Sequence, residues 1–279
     1  QAFYALNLVA VPLYDTLGDD AIVFICEQTE MEVIVIDGRK VPMILKLKSR
    51  LPTVKKLIIM DADVSEEVES NLKDAQIDFT CMESLQSEGA KMEFKPNPPS
   101  PSDLCTISYT SGTTGHPKGA MLTHSAIIAA AASALYMVGA NPKYPNPHGS
   151  YSLIPGEETY LSFLPLAHIL ERLCVTSLTS LGCRFAFFQG DILKLMDDAQ
   201  ASQPTFFAGV PRLFNRIYDK VKAGIAAKGI ISKFLFEYAL SIKKQNYHSS
   251  GVLTHWLWDR IIFNKVKAKM GGKVKVILT

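Results

Sequence analysis

Short runs of β-branched residues alternate with longer amphipathic stretches through the first part of the chain. The runs EVIVID, residues 32–37, and VKKLIIM, residues 54–60, are typical of strands, and the acidic stretch VSEEVESNLKDAQ, residues 64–76, is typical of a helix. This alternation predicts an α/β fold with layered parallel sheets and flanking helices. No G-x-G-x-x-G follows the first strand-like run, VAVPLY at residues 9–14, so nothing supports a dinucleotide site.

A proline-rich stretch divides the chain. KPNPPSPSD, residues 95–103, holds four prolines in nine residues and can form neither a helix nor an interior strand. We therefore expect residues 95–102 to link a first α/β subdomain, residues 1–94, to a second one, residues 103–279. Further strand-like runs follow the linker: LCTISY, YLSFLP, RFAFFQ and TFFAGV.

The segment from about 211 to 272 has no strand-like run and predicts two or three helices. One crossover helix is enough to join two parallel strands, so we interpret the excess as a helical insertion in the second subdomain. Its lysines, together with Trp256 and Trp258, would suit peripheral contact with a membrane surface. The favoured alternative is a helical hairpin packed on its own domain.

Composition excludes some classes of function and location. The net charge of +2 gives no basic field for nucleic acid. The five cysteines form no CxxC pair, which predicts reduced thiols in an intracellular, cytoplasmic protein. The longest nearly apolar run, residues 126–140, is interrupted by Ser133 and is shorter than the roughly 18 residues of a spanning helix, so we expect a buried helix there.

Both ends of the sequence are abrupt. The chain opens on Gln1 within a helix-like stretch, and the strand-like run KVKVILT stops at Thr279 without a cap or a polar tail. We therefore expect this chain to be an internal piece of a longer protein, truncated at both of its subdomains. Its oligomeric state is not indicated.

Glycines and hydroxyl residues crowd around one lysine in YTSGTTGHPKGAMLTH, residues 109–124. Glycines let backbone N–H groups approach a ligand, hydroxyls add donors, and Lys118 adds a mobile positive charge, so the stretch suits a polyphosphate. It is not a Walker loop, because Pro117 and Gly119 stand where that pattern needs Gly and Ser/Thr. The simpler alternative is a flexible hairpin turn, although a tight turn needs only about two special residues.

The string YTSGTTGHPKG resembles the phosphate loop of the adenylate-forming superfamily, which includes acyl-CoA synthetases, luciferases and peptide-synthetase adenylation domains. The resemblance implies that this loop holds the β- and γ-phosphates of ATP, that Thr113 also contacts Mg²⁺, and that Lys118 is catalytic. The implied nucleotide-binding residues are Thr110, Ser111, Gly112, Thr113, Thr114, Gly115 and Lys118.

Other stretches resemble the long-chain acyl-CoA synthetase branch, namely VPLYDTLG, LSFLPLAHILER and QPTFFAGVPRLFNRIYDKV. This resemblance implies that His168 is catalytic and binds substrate, and that Gly209, Val210 and Pro211 border the fatty-acyl tunnel. Taken alone, a histidine between a strand and a helix is more often a capping residue. The chain departs from some bacterial members, because Glu171 and Arg172 stand near the position of their aromatic gate.

The resemblance implies a ligase that activates a long-chain fatty acid with Mg-ATP and transfers it to coenzyme A. It also implies that the adenine loop, the acidic Mg²⁺ motif and the C-terminal lysine would follow Thr279, so we expect this chain alone to be inactive. The protein would be cytoplasmic or peripheral on the endoplasmic reticulum or another lipid-metabolising membrane. The alternatives are a medium-chain or luciferase-like adenylate former, or a non-catalytic acyl-binding protein.

Overall fold

The computed structural model describes residues 2–14, 17–61, 64–110, 117–139 and 153–279. The chain divides into two compact units, residues 1–126 and residues 127–279. The proline-rich segment at 95–102 lies inside the first unit and forms neither helix nor strand. Both units combine parallel sheets with helices, which confirms the predicted α/β class.

A parallel sheet with the strand order β1-β2-β3 organises the first unit. Its strands and helices are α1 (Ala2–Ala5), α2 (Asp19–Gln28), β1 (Val33–Ile36), α3 (Val41–Leu47), β2 (Lys56–Ile59), α4 (Glu66–Asp74), β3 (Asp78–Cys81) and α5 (Met82–Gly89). Ile34, Ile36, Leu57 and Ile59 of the strands are buried in one core. The expected first strand does not form, because Ala10 makes only a single bridge to Thr106; Pro12, which has no backbone N–H, interrupts this run.

An antiparallel hairpin completes the first unit. It consists of β4 (Leu104–Thr110) and β5 (Lys118–Thr123), and α6 (His124–Met137) follows β5 directly. The Thr123 hydroxyl accepts a hydrogen bond from the Ala126 N–H at 3.3 Å and so caps the start of α6.

A second parallel sheet, with the order β7-β6-β8-β9, organises the second unit. Its first elements are β6 (Thr159–Ser162), α7 (Ile169–Ser180), β7 (Arg184–Phe187), α8 (Leu195–Ser202) and β8 (Phe206–Ala208). Because side chains alternate along a strand, Tyr160 packs with Cys174 of α7 on one face. Leu161 and Phe207 pack with Leu195 of α8 on the other face. Helices therefore cover both faces of this sheet.

Residues 211–272, the helical segment, lie between β8 and its parallel neighbour β9 (Val276–Leu278). The segment contains α9 (Pro211–Ala226), α10 (Ile230–Ser250), α11 (Trp256–Trp258), a π-type turn (Asp259–Phe263) and α12 (Asn264–Ala268). It forms no strand, as its sequence predicts. In the part of the chain that the structure describes, no helix combines the length and the apolar character needed to cross a membrane.

Candidate functional site

The loop end of the β4–β5 hairpin carries the ends of the predicted phosphate loop. Thr110, the last residue of β4, pairs directly with Lys118, the first residue of β5. Both residues are partly or fully exposed, so their hydroxyl and ammonium groups are accessible to solvent. The other predicted nucleotide-binding residues lie outside the described residues: Ser111, Gly112, Thr113, Thr114 and Gly115.

In the next residue pair of the hairpin, a tyrosine packs on a glycine and fixes the two strands. Tyr109 is buried and donates a hydrogen bond from its hydroxyl to the Gln28 Oε1 of α2 at 2.6 Å. Gly119 pairs with Tyr109 across the hairpin. A Cβ atom on Gly119 would lie 2.8 Å from the Ile107 Cγ2 and 3.0 Å from the Tyr109 Cζ. Gly119 therefore belongs to the motif for packing, because only hydrogen fits between these two side chains.

His168 is the N-terminal cap of α7. Its Nδ1 accepts a hydrogen bond from the Leu170 N–H at 3.2 Å, so the capping role that its position suggests is present. A neutral imidazole that accepts at Nδ1 carries its proton on Nε2. The side chain is accessible to solvent, and Nε2–H is the polar group that it can offer to a ligand. Capping and ligand binding therefore use different nitrogens.

A buried carboxylate in the first turn of α7 ties the helix to β6. Glu171 is 1% exposed, and it accepts hydrogen bonds from the Tyr160 hydroxyl and, at 2.5 Å, from the Ser162 hydroxyl. From the sequence, Glu171 is noted only as a residue near the position of the aromatic gate of some bacterial members. Its hydrogen bonds to β6 are missed. The available signal was its spacing, since Glu171 shares a helix face with Cys174 and Leu178, both buried.

Burial dominates the proton affinities in this cluster. Desolvation raises the pKa of Glu171, although the hydrogen bonds from Ser162 and Tyr160 act in the opposite direction. Desolvation also raises the pKa of the Cys174 thiol to about 12, with a smaller contribution from the Glu171 charge. Because the cluster is buried from solvent, its role is structural. It holds the start of α7, and with it His168, against the sheet.

The predicted acyl-tunnel residues follow β8. Gly209 is buried, and a Cβ atom there would lie 3.1 Å from the Leu213 Cδ2 and 3.2 Å from the Phe214 Cε2. Val210 is exposed, and Pro211 begins α9. Since β6 and β8 are parallel neighbours, the residues after them leave the same edge of the sheet. His168 and Gly209 therefore belong to the carboxyl edge, where ligands bind in open α/β sheets.

The predicted site residues are distributed over both units. Thr110 and Lys118 belong to the first unit, whereas His168, Gly209, Val210 and Pro211 belong to the second. Within residues 2–14, 17–61, 64–110, 117–139 and 153–279, no group of three or more His, Cys, Asp or Glu side chains is arranged to hold a metal ion. Thr113, the residue implied to contact Mg²⁺, lies outside these ranges.

Relatives with similar sequences include proteins named as fatty-acid ligases. The chain is 38% identical to "Long-chain-fatty-acid--CoA ligase 1" of Homo sapiens over 282 residues, which cover 100% of this chain and 38% of that protein. It is 36% identical to "Long chain acyl-CoA synthetase 7, peroxisomal" of Arabidopsis thaliana over 275 residues, covering 99% of this chain and 37% of the relative. The chain thus spans less than half of the length of these relatives.

A solved structure shares the fold. The A-PCP didomain of a carboxylic acid reductase from Segniliparus rugosus, in complex with AMP, superposes with a TM-score of 0.74 at 20% identity, covering 99% of this chain and 36% of that one. The sequence model described as "AMP-binding enzyme" matches residues 1–258. Since that match extends over most of the sequence, the chain belongs to the AMP-binding enzyme family.

Proposed function

We propose that this chain supplies the acyl- and triphosphate-binding part of a long-chain fatty acid–CoA ligase that forms AMP. The observation that carries the proposal is the pairing of Thr110 with Lys118 at the loop end of the hairpin. It sets a hydroxyl and a mobile cation on the two sides of the glycine- and threonine-rich loop. The identity to long-chain ligases over the whole chain supports the same substrate class.

The phosphate loop would stabilise negative charge during adenylation. The fatty-acid carboxylate attacks the α-phosphorus of ATP, forming the acyl-adenylate and releasing pyrophosphate. The Lys118 ammonium and the Thr110 hydroxyl would bind the β- and γ-phosphate oxygens with the donors of residues 111–115, and Thr113 would contact Mg²⁺. Mg²⁺, when bound with ATP, would neutralise phosphate charge. Donors set in place before the reaction are effective because they need not reorganise as charge develops.

The residues proposed to bind the fatty acid belong to the carboxyl edge of the second sheet. The Nε2–H of His168 would donate to the substrate carboxylate while its Nδ1 keeps capping α7. Gly209 would allow the acyl chain to approach the backbone, and Val210 and Pro211 would border it. The thiolate of coenzyme A then attacks the acyl carbonyl carbon and displaces AMP, giving the thioester. We propose an intracellular protein, either cytoplasmic or peripheral on a lipid-metabolising membrane.

The test is ATP–pyrophosphate exchange by the complete natural protein with long- and medium-chain fatty acids. Lys118→Ala should lower the exchange rate by about 10- to 1000-fold, because it removes one preset charge-stabilising donor. Lys56→Ala is the matched control, since Lys56 also begins a strand of the first unit but forms an ion pair with Asp78. Exchange that is unchanged in Lys118→Ala would contradict the assignment of the loop.

The choice of acid tests the substrate class. Faster exchange with the medium-chain acid would replace the long-chain assignment by another adenylate-forming ligase. Fatty-acid binding without exchange in the unaltered protein would point instead to a non-catalytic acyl-binding protein.

A further inference from the structure

Positive charge is concentrated in the helical segment. Residues 211–272 contain 12 Lys and Arg but three Asp and Glu, a formal net charge of +9, whereas the complete chain has a net charge of +2. The remainder of the chain is therefore acidic, and the overall value conceals a strongly basic region. A basic region of this kind attracts anionic surfaces.

Helix α10 carries apolar side chains on two opposite faces. Phe236 and Ala239 are buried, and the Phe236 ring lies 5.9 Å from the Phe263 ring, so this face packs inside the segment. The other face is exposed and forms what we call the α10 stripe: Ile230 (87% exposed), Ile231 (77%), Phe234 (67%) and Tyr238 (52%). With about 3.6 residues per turn, these four positions fall within an arc of about 100° that faces away from the buried side.

The two tryptophans differ in their surroundings. Trp258 packs edge-on against Tyr238, with ring centroids 5.9 Å apart, and the Tyr238 ring stacks with Phe234 at 6.5 Å. Trp256, in the same short helix α11, is 79% exposed. The Tyr238–Trp258 contact brings α11 alongside the α10 stripe, and Trp256 adds an exposed indole on the same short helix.

Lysines flank this apolar surface. Lys228 stands just before α10, and Lys233 and Lys244 lie along it; all three are accessible to solvent. Among the described residues, none of the three has a carboxylate within ion-pair distance. Their ammonium groups are therefore available to an external anion.

We propose that the α10 stripe, with Trp256 and the flanking lysines, docks the protein on an anionic lipid surface. Contiguous exposed apolar side chains mark interaction sites. Aliphatic and aromatic side chains beside unpaired lysines match the membrane interface, where apolar groups enter the acyl boundary and lysines meet lipid phosphates. A nucleic-acid site would use the charge but leave Ile230 and Ile231 in water, and an acidic protein would need apolar groups of its own. The proposal does not depend on the reaction proposed above.

The test places an environment-sensitive fluorophore on the stripe of the complete natural protein. Ile231→Cys is labelled with a nitrobenzoxadiazole dye, and the signal of the labelled protein without this cysteine is subtracted. Vesicles of phosphatidylcholine containing about one-third phosphatidylserine should increase the emission and shift it to the blue, whereas phosphatidylcholine alone should not. Added salt should weaken the response, because it screens exposed charges. This readout is local, so another membrane anchor in the protein would not imitate it.

Leu193→Cys is the matched control, because Leu193 is 74% exposed but lies outside the helical segment; its label should not respond. Lys228→Glu with Lys233→Glu should reduce vesicle partition by at least about 25-fold, at roughly fivefold for each lysine lost. The proposal is overturned by an equal response with neutral vesicles, by an equal response at residue 193, or by no response at residue 231. A response to soluble poly-glutamate or DNA but not to vesicles would overturn it in favour of an acidic protein or nucleic acid.

Discussion

Replacing Glu171 by Gln should change the stability of α7 in a pH-dependent way. Glutamine keeps the size of the side chain and, like a protonated carboxyl group, offers one acceptor oxygen and one donor group. It cannot ionise, so the Glu171→Gln variant serves as a reference without titration. Burial raises the pKa of Glu171 in the folded protein above that of an unfolded chain, where Glu titrates near pH 4.3. The contribution of Glu171 to the free energy of unfolding is therefore complete below the pKa of the unfolded chain. It is lost as pH rises through the pKa of the folded protein. As pH rises between these two pKa values, the free energy of unfolding of the wild-type protein should fall relative to that of Glu171→Gln. The fall should be up to about 1.4 kcal/mol per pH unit.

Glu158→Gln is a matched control with the opposite sign. Glu158 is buried before β6, where burial raises its pKa. Hydrogen bonding, above all from Lys275, and the Lys275 charge together outweigh burial and leave the pKa below its usual value. The contribution of the Glu158 carboxylate to the free energy of unfolding is present above the pKa of the unfolded chain. It is lost as pH falls through the pKa of the folded protein. The wild-type protein should thus gain stability relative to Glu158→Gln as pH rises through the region near pH 4.

The assay is hydrogen exchange of the α7 and β6 amides in the complete protein, read by mass spectrometry between about pH 4 and pH 7. Exchange rates are corrected for their intrinsic pH dependence, so protection reports the local free energy of opening. Glu171→Ala should cost more than Glu171→Gln at every pH, by about 1–3 kcal/mol for each hydroxyl of Tyr160 and Ser162 left without its acceptor. A flat pH dependence for wild type relative to Glu171→Gln, or the same sign for both glutamine variants, would refute this account of the buried carboxylates.

Two further predictions concern packing and ion pairing. Gly119→Ala should lower the free energy of unfolding by about 1–3 kcal/mol, because the new Cβ meets Ile107 and Tyr109 within 3.0 Å; thermal unfolding measures it, and the partner change Ile107→Leu, which removes the Cγ2 methyl, should restore part of the loss. Lys275→Met should cost about 3 kcal/mol, since it removes the 2.7 Å ion pair and leaves the Glu158 charge buried. Adding Glu158→Gln to Lys275→Met should recover most of that stability, and no recovery in urea unfolding would contradict the ion-pair account.

Local patterns predict much of this fold from the sequence. The periodicities of residues 32–37, 54–60 and 64–76 indicate β1, β2 and α4, and the lack of strand patterns over 211–272 indicates the helical segment. Such predictions succeed because period and β-branching act within a few neighbouring residues. The same local reading fails at Ala10, which forms one bridge instead of a strand because pairing depends on a partner 96 residues away.

The motif YTSGTTGHPKG indicates the superfamily by itself, because its glycines, hydroxyl residues and lysine together suit a polyphosphate. It does not separate the glycines by role: only the position of Gly119 opposite the Tyr109 ring shows that this glycine is required for packing. Similarly, the sequence indicates His168 as a candidate, whereas the tertiary structure shows which nitrogen caps α7. It also shows that Glu171 is bonded to β6. These contacts join residues of different strands and helices, and their energies depend on burial, which the folded structure alone determines.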